Sequence, residues 1–278
     1  MPAPKAPKEV SIKNIKIDNR DGSAKIKLRI YQPANPKNAA PALIWMHGGG
    51  YIIGKPELED PLCSQFVCEL GISIVSVDYR LAPKHPFPAG LEDCYSALMW
   101  AKNNSEQLGF DTARIAVGGT SAGGGLAAAL AQLAHDRKEV SPIFQLLTYP
   151  MLDDRTALRT DIDDSTSPPW SQRSNIFGWK SYLGNHYGKE EVPSYAVPAR
   201  RGDLSGLPNA WIGVGTLDVF FDEDTTYAQN LRTAGVHCEL EIIEGAFHGF
   251  DVFDSSIQIV QKFRRSQIAA LRKFLVGK

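Results

Sequence analysis

The sequence predicts an α/β fold in which a mostly parallel central sheet is covered by helices on both faces. Three observations predict it. Short apolar runs recur along the chain, too continuous for strands with one wet face. Stretches of helical periodicity lie between them, and strands that alternate with helices build a parallel sheet. One early segment alternates charge with hydrophobe at period two, the mark of an antiparallel strand wet on one side.

That early segment is Lys25-Ile-Lys-Leu-Arg-Ile-Tyr31, which belongs at the edge of the sheet. Buried-strand runs follow at Ala42–Met46, Ile72–Val77, Ile115–Val117, Phe144–Tyr149 and Ala210–Val214, with a last strand at Cys238–Ile243. The helical stretches run from Leu91 to Lys102, from Ala122 to His135, and from Ile257 to Leu275. The last of these repeats apolar residues at Ile257, Val260, Phe263, Ile268, Leu271 and Leu275, one stripe of a helix. No internal repeat is present.

The alternation breaks after Pro150. The chain passes through Asp153-Asp-Arg-Thr and the acidic, proline-ended run 161–169. It then turns aromatic, with Trp170, Phe177, Trp179, Tyr182 and Tyr187 close together. An insertion this long is usually a lid or a binding element. Residues 151–207 are therefore expected to form a cap over the carboxyl ends of the strands. Residues 1–150 and 208–278 would make the main domain, with a short contribution of the N-terminus to the cap. Trp170, Phe177 and Trp179 are expected to wall a substrate pocket.

Composition excludes several classes of function. The chain has 278 residues, 43% apolar and 22% charged, enough to bury one large core. Lys and Arg (30) nearly match Asp and Glu (31), giving a net charge of −1 and no basic stripe for nucleic acid. No apolar run is long enough to span a bilayer. The start, Met1 to Lys8, is Pro- and Lys-rich without an apolar core, unlike a secretory signal. Cys63, Cys68, Cys94 and Cys238 lack metal-site spacing and read as buried free thiols of a reducing cytoplasm.

The chemistry is concentrated in four places. Gly119-Thr-Ser-Ala-Gly123 follows a short apolar run and opens an Ala-rich helix, the strand–turn–helix context of a nucleophile elbow. Gly119 and Gly123 would leave room for the chain to fold back around Ser121. His47-Gly-Gly-Gly50 follows another strand. Three glycines suit a backbone that must approach a substrate oxygen, so the N–H groups of Gly49, Gly50 and Ala122 are expected to form an oxyanion hole. Of six histidines, His248 lies between the last strand and the last helix, where a sheet of this kind presents a base. His47 more plausibly supports loop shape. Asp218 follows the strand Ala210–Val214 and is the candidate third member. Asp222, Glu223 and Asp224 fall where a helix begins and are explained by its dipole.

These residues resemble one family. His47-Gly-Gly-Gly50, Tyr79-Arg-Leu-Ala-Pro83 with Pro86 and Pro88, the elbow at Ser121, Asp218 with Asp222-Glu223, and Phe247-His-Gly-Phe250 occur in order over nearly the whole chain. The pattern is similar to that of the hormone-sensitive-lipase-like carboxylesterases, or bacterial family IV esterases. The resemblance implies an α/β-hydrolase sheet of about eight strands and a Ser121–Asp218–His248 triad. It also implies the oxyanion hole named above, no cofactor or metal, and a homodimer. Two departures stand out. The family's commoner elbow has Asp where this chain has Thr120, and the short stretch before His47 implies a reduced cap.

The expected activity is hydrolysis of short- to medium-chain carboxylic esters through an acyl-enzyme. An amidase, lactonase or peptidase would use the same triad, because fold and triad do not separate these reactions. A non-catalytic ligand receptor on this scaffold would lack His248. A lipase acting on emulsions would need an amphipathic interfacial helix, which the sequence does not display.

Overall fold

A computed structural model of the chain describes residues 7–36, 39–162 and 170–277. Residues 1–6 of the Pro- and Lys-rich start and 163–169 of the acidic run lie outside the described residues. One sheet holds β1 (Val10–Asp18), β2 (Lys25–Pro33), β3 (Ala40–Met46), β4 (Ser73–Asp78), β5 (Phe110–Thr120), β6 (Phe144–Thr148), β7 (Asn209–Gly215) and β8 (Cys238–Ile243). Their spatial order is β1-β2-β4-β3-β5-β6-β7-β8. β1 and β2 pair antiparallel, as do β2 and β4, and every later neighbour is parallel. The expected mostly parallel sheet of about eight strands is thus present.

The helices are α1 (Asp60–Leu70), α2 (Ala89–Asn103), a single turn α3 (Ser105–Leu108), α4 (Ala122–Arg137), α5 (Gln172–Leu183), α6 (Phe221–Thr233) and α7 (Gln258–Leu271). They cover both faces because the central strands are apolar on both. In β3, Ala42, Ile44 and Met46 join the core under α2 and α4 with Leu98 and Leu126. Leu43 and Trp45, one residue out of phase, join the opposite core with Phe66 of α1 and Phe263 of α7.

β2 shows the expected alternation. Ile26, Leu28 and Ile30 are buried, whereas Lys25, Lys27 and Arg29 face outward. That outer face is not simply wet, because Lys27 pairs with Glu57 at 2.6 Å and Arg29 with Asp60 at 2.7 Å. β5 runs well beyond the apolar core Ile115–Val117, since its first half carries polar residues and its last three are Gly118, Gly119 and Thr120. The thiol expectation needs one correction. All four cysteines are free, but Cys68 is exposed while Cys63, Cys94 and Cys238 are buried. Five helical positions rotate a side chain by about 140°, so Cys63 faces the core and Cys68 the solvent.

The topology opens a crevice where the site lies. After β3 the chain leaves toward β4 on one side, and after β5 toward β6 on the other. Loops leaving adjacent parallel strands in opposite directions leave a gap at their carboxyl ends. Residues 151–207 connect β6 to β7 and carry α5 with short turns at Asp154–Leu158, Gly184–His186 and Pro198–Arg200. Arg200 ties this segment together through two hydrogen bonds to the fully buried Asp154, at 2.7 and 2.8 Å.

Candidate active site

β5 ends on Thr120 and α4 starts on Ala122, so Ser121 alone turns the chain. It does so at φ +58° and ψ −121°, a conformation that costs a non-glycine residue of order 1–3 kcal/mol. Neighbouring strands hold it there. The Ser121 N–H donates to the Thr148 carbonyl at 2.9 Å, and the Ser121 carbonyl accepts from Met151 and Gly125 at 3.0 Å each. A Cβ on Gly119 would stand 2.4 Å from the carbonyl of Gly123, and one on Gly123 would stand 2.1 Å from the Met46 carbonyl. The elbow is therefore as tight as those glycines suggest.

The buried Ser121 hydroxyl lies 2.9 Å from His248 Nε2, and His248 Nδ1 lies 2.8 Å from Asp218 Oδ2. Asp218 sits just after β7, where its other oxygen accepts the Phe220 N–H at 3.0 Å. His248 occupies the loop between β8 and α7. The edges of Tyr149 and Phe220 pack on its ring at 4.7 and 5.1 Å between centroids, which limits its rotation.

The rival acids take other work. Asp222 is exposed and pairs with Arg159 at 2.6 Å. Glu223 is buried and accepts the N–H groups of Leu152 and Asp153 at 2.7 and 3.1 Å, bracing the chain after β6. Burial pushes the carboxyls of Glu223 and Asp224 well above the usual range. None of the three hydrogen-bonds a histidine among the described residues.

The glycine loop lies against the elbow. A Cβ on Gly48 would stand 3.2 Å from the Thr120 carbonyl. Gly49 and Gly50 have φ of +125° and +58°, conformations that favour glycine. Among the described residues, the N–H groups of Gly49, Gly50 and Ala122 donate to no acceptor. His47 supports the loop from below. Its ring stacks on Tyr79 at 4.3 Å, the Tyr79 hydroxyl donates to the His47 carbonyl at 2.8 Å, and Nδ1 donates to the Gly48 carbonyl at 2.8 Å. Burial lowers its pKa to about 4, so at neutral pH the ring carries no charge.

A cavity of about 750 Å³ opens onto Ser121 and His248, walled by Gly49, Trp170 and Tyr149 and rimmed by the exposed Ile53, Leu58, Val252 and Phe253. Of the three aromatics expected to wall the pocket, only Trp170 reaches it. Its indole lies where a Cβ on Gly50 would come within 2.0 Å. Phe177 is exposed, and Trp179 is fully buried against Tyr51 and Tyr182. Both sit on α5, where a two-residue step turns about 200°, so they point to opposite sides. Trp170 precedes the helix and turns inward.

Sequence reasoning missed four polar groups in the wall. Tyr149 donates to Asp251 at 2.6 Å, Asp251 pairs with Arg264 at 2.6 Å, and Glu59 lines the same cavity. Tyr149 stands directly beyond β6, at a strand's carboxyl end, which is a usable signal. No spacing marks Glu59, Asp251 or Arg264. A second hollow of about 690 Å³ lies around Arg155, Arg200 and Arg201, but Asp153, Asp154 and Asp136 already hold those charges. Among the described residues no group of three or more His, Cys, Asp or Glu is placed to hold a metal ion. No described helix is long and apolar enough to cross a membrane.

The chain is similar to known hydrolases in sequence and in fold. A family model for the α/β-hydrolase fold matches residues 43–252. Carboxylesterase NlhH of Mycobacterium tuberculosis is 34% identical over 281 aligned residues, covering 98% of this chain and 86% of its own. An ethyl acetate hydrolase of Pseudomonas putida is 32% identical over 98% of this chain and 86% of its own. The solved structure of a bacterial heroin esterase superposes with a TM-score of 0.91 at 38% identity, covering 96% of this chain and 85% of that one.

Proposed function

Because the chain belongs to the hormone-sensitive-lipase-like branch of the α/β-hydrolase family, we propose that it hydrolyses short- to medium-chain carboxylic esters through Ser121, His248 and Asp218. It is a carboxylesterase, and the observation that carries the mechanism is the hydrogen-bonded line from Asp218 through His248 to Ser121.

His248 Nε2 takes the hydroxyl proton as Ser121 Oγ attacks the ester carbonyl. Asp218 holds the imidazole with its proton on Nδ1 and stabilises the imidazolium that forms. The developing oxyanion is met by the N–H groups of Gly49, Gly50 and Ala122, which have no other acceptor to leave among the described residues. His248 returns the proton to the departing alcohol, and water repeats the sequence on the acyl-enzyme. The segment 151–207 acts as a cap, with Trp170 closing one side of the pocket. The ethyl acetate hydrolase among the relatives supports a small acyl group.

The experiment compares three variants on a short aryl ester. Ser121→Ala should lower kcat at least about 10⁴-fold and abolish fluorophosphonate labelling, and Asp218→Asn should lower it about 10⁴-fold by favouring the wrong tautomer. Asp222→Asn should stay within about twofold, because an exposed ion pair contributes little. Near-normal turnover by the alanine variant, or a larger loss at Asp222 than at Asp218, would overturn the assignment.

A further inference from the structure

We infer that the cavity is built for esters that carry a positively charged amine, and that Glu59 is the residue that selects them. The inference rests on the esterase reading, because it concerns the same cavity. Three observations support it.

The first is charge. Asp251 and Glu59 both line the cavity, and Arg264 is the guanidinium facing them. Arg264 is committed to Asp251, the two standing 2.6 Å apart, and Asp251 also accepts from Tyr149 at 2.6 Å. Glu59 belongs to no ion pair among the described residues, and it feels Arg264 only from a distance. When Glu59 is ionised, the described wall of the cavity therefore carries one uncompensated negative charge.

The second is the surroundings of that charge. Tyr149, Trp170 and Phe253 present aromatic rings to the same space. Aromatic faces attract ammonium groups, more strongly when water is excluded. A carboxylate beside aromatic rings favours a cation over a neutral group of the same shape.

The third is the position of Glu59 at the reaction centre. It lines the same cavity as Gly48 and Ser121, a Cβ on Gly48 would stand 3.5 Å from the Cβ of Ser121, and Gly48 is joined directly to the Gly49 of the oxyanion loop. A ligand bound to Glu59 is thus held next to the serine rather than at a remote site.

Burial pushes the Glu59 carboxyl up to about 7. Empty, the cavity keeps its charge only about half the time at neutral pH, and an ammonium ion bound beside it draws the proton away. The titratable and charged groups facing Glu59 are Arg264, Asp251, Cys63, Tyr79 and Tyr149. Preference for the cation should accordingly rise between about pH 6 and pH 8.

The test compares butyrylcholine with its uncharged carbon isostere, the dimethylbutyl ester of butyric acid, on wild type and Glu59→Gln. The readout is the ratio of the two kcat/KM values, which cancels any effect of the substitution on the oxyanion loop. The ratio should fall at least tenfold in Glu59→Gln and rise with pH only in the wild type. A ratio that stays within twofold overturns the inference while leaving the esterase reading intact. Calorimetric titration with phenyltrimethylammonium gives a readout that needs no turnover. Binding should be at least tenfold weaker in Glu59→Gln, and equal binding in both overturns the inference. Loss of turnover on every ester, with ammonium binding retained, would instead count against the esterase reading alone.

Discussion

His47 and Glu59 flank the glycine loop in sequence, and burial pushes them in opposite directions, the imidazole down to about 4 and the carboxyl up to about 7. In both cases the apolar surroundings penalise the charged form. The consequences for stability oppose each other. Between about pH 4 and 6.5 the unfolded chain protonates this histidine and the folded chain does not, so His47 destabilises the fold as pH falls. Between about pH 4.5 and 7 the folded chain holds a proton on Glu59 that the unfolded chain has lost, so Glu59 destabilises the fold as pH rises. A wild-type stability curve mixes the two, and a variant separates them. From about pH 7.5 to about pH 5 the wild type should lose about 2 kcal/mol more unfolding free energy than His47→Asn, measured by urea titration. An equal loss in both proteins would mean that His47 is not held neutral.

The turn between β3 and α1 shows the same dependence on surroundings at the scale of an element. Gly50 has φ +58°, and a Cβ there would stand 2.0 Å from the Trp170 ring. An alanine would thus face two separate penalties, one from the backbone and one from the indole. Gly50→Ala should lower kcat about 10²-fold, the scale of losing one oxyanion donor. In a Trp170→Ala background the same substitution should cost only about tenfold, because the clash is gone and the backbone strain remains. Equal losses in both backgrounds would show that Trp170 does not press on the loop. Such elements are partly legible in sequence. The elbow around Ser121 announces itself because its glycines and serine are adjacent and the steric demand is local. The strands announce themselves where both faces are apolar, as in β3, and only in their middle where they are not, as in β5. What stays hidden is long-range. Glu59, Tyr149, Asp251 and Arg264 meet in one cavity from four different parts of the chain, and nothing in their spacing records it.

For the molecule as a whole, the question is how much substrate the crevice between the sheet and segment 151–207 can hold. Each acyl CH₂ that leaves water contributes about 0.8 kcal/mol, but only while there is wall to receive it. Near Ser121 that wall includes Trp170, and farther out it is the exposed rim of Ile53, Leu58, Val252 and Phe253, where burial is incomplete. Across p-nitrophenyl esters, kcat/KM should therefore rise from acetate to about butyrate or hexanoate and fall beyond about octanoate. Trp170, Phe177 and Trp179 should then behave differently, as their positions require. Trp170→Ala should shift the optimum to longer chains, since it alone borders the cavity. Phe177→Ala should leave the profile unchanged, because that ring faces solvent. Trp179→Ala should leave the optimum in place but cost about 3–5 kcal/mol of stability, the penalty for emptying a fully buried indole site. A wild-type optimum at dodecanoate or longer would mean that the rim binds chain as well as the inner wall does. An unshifted optimum in Trp170→Ala would mean that another group closes the pocket.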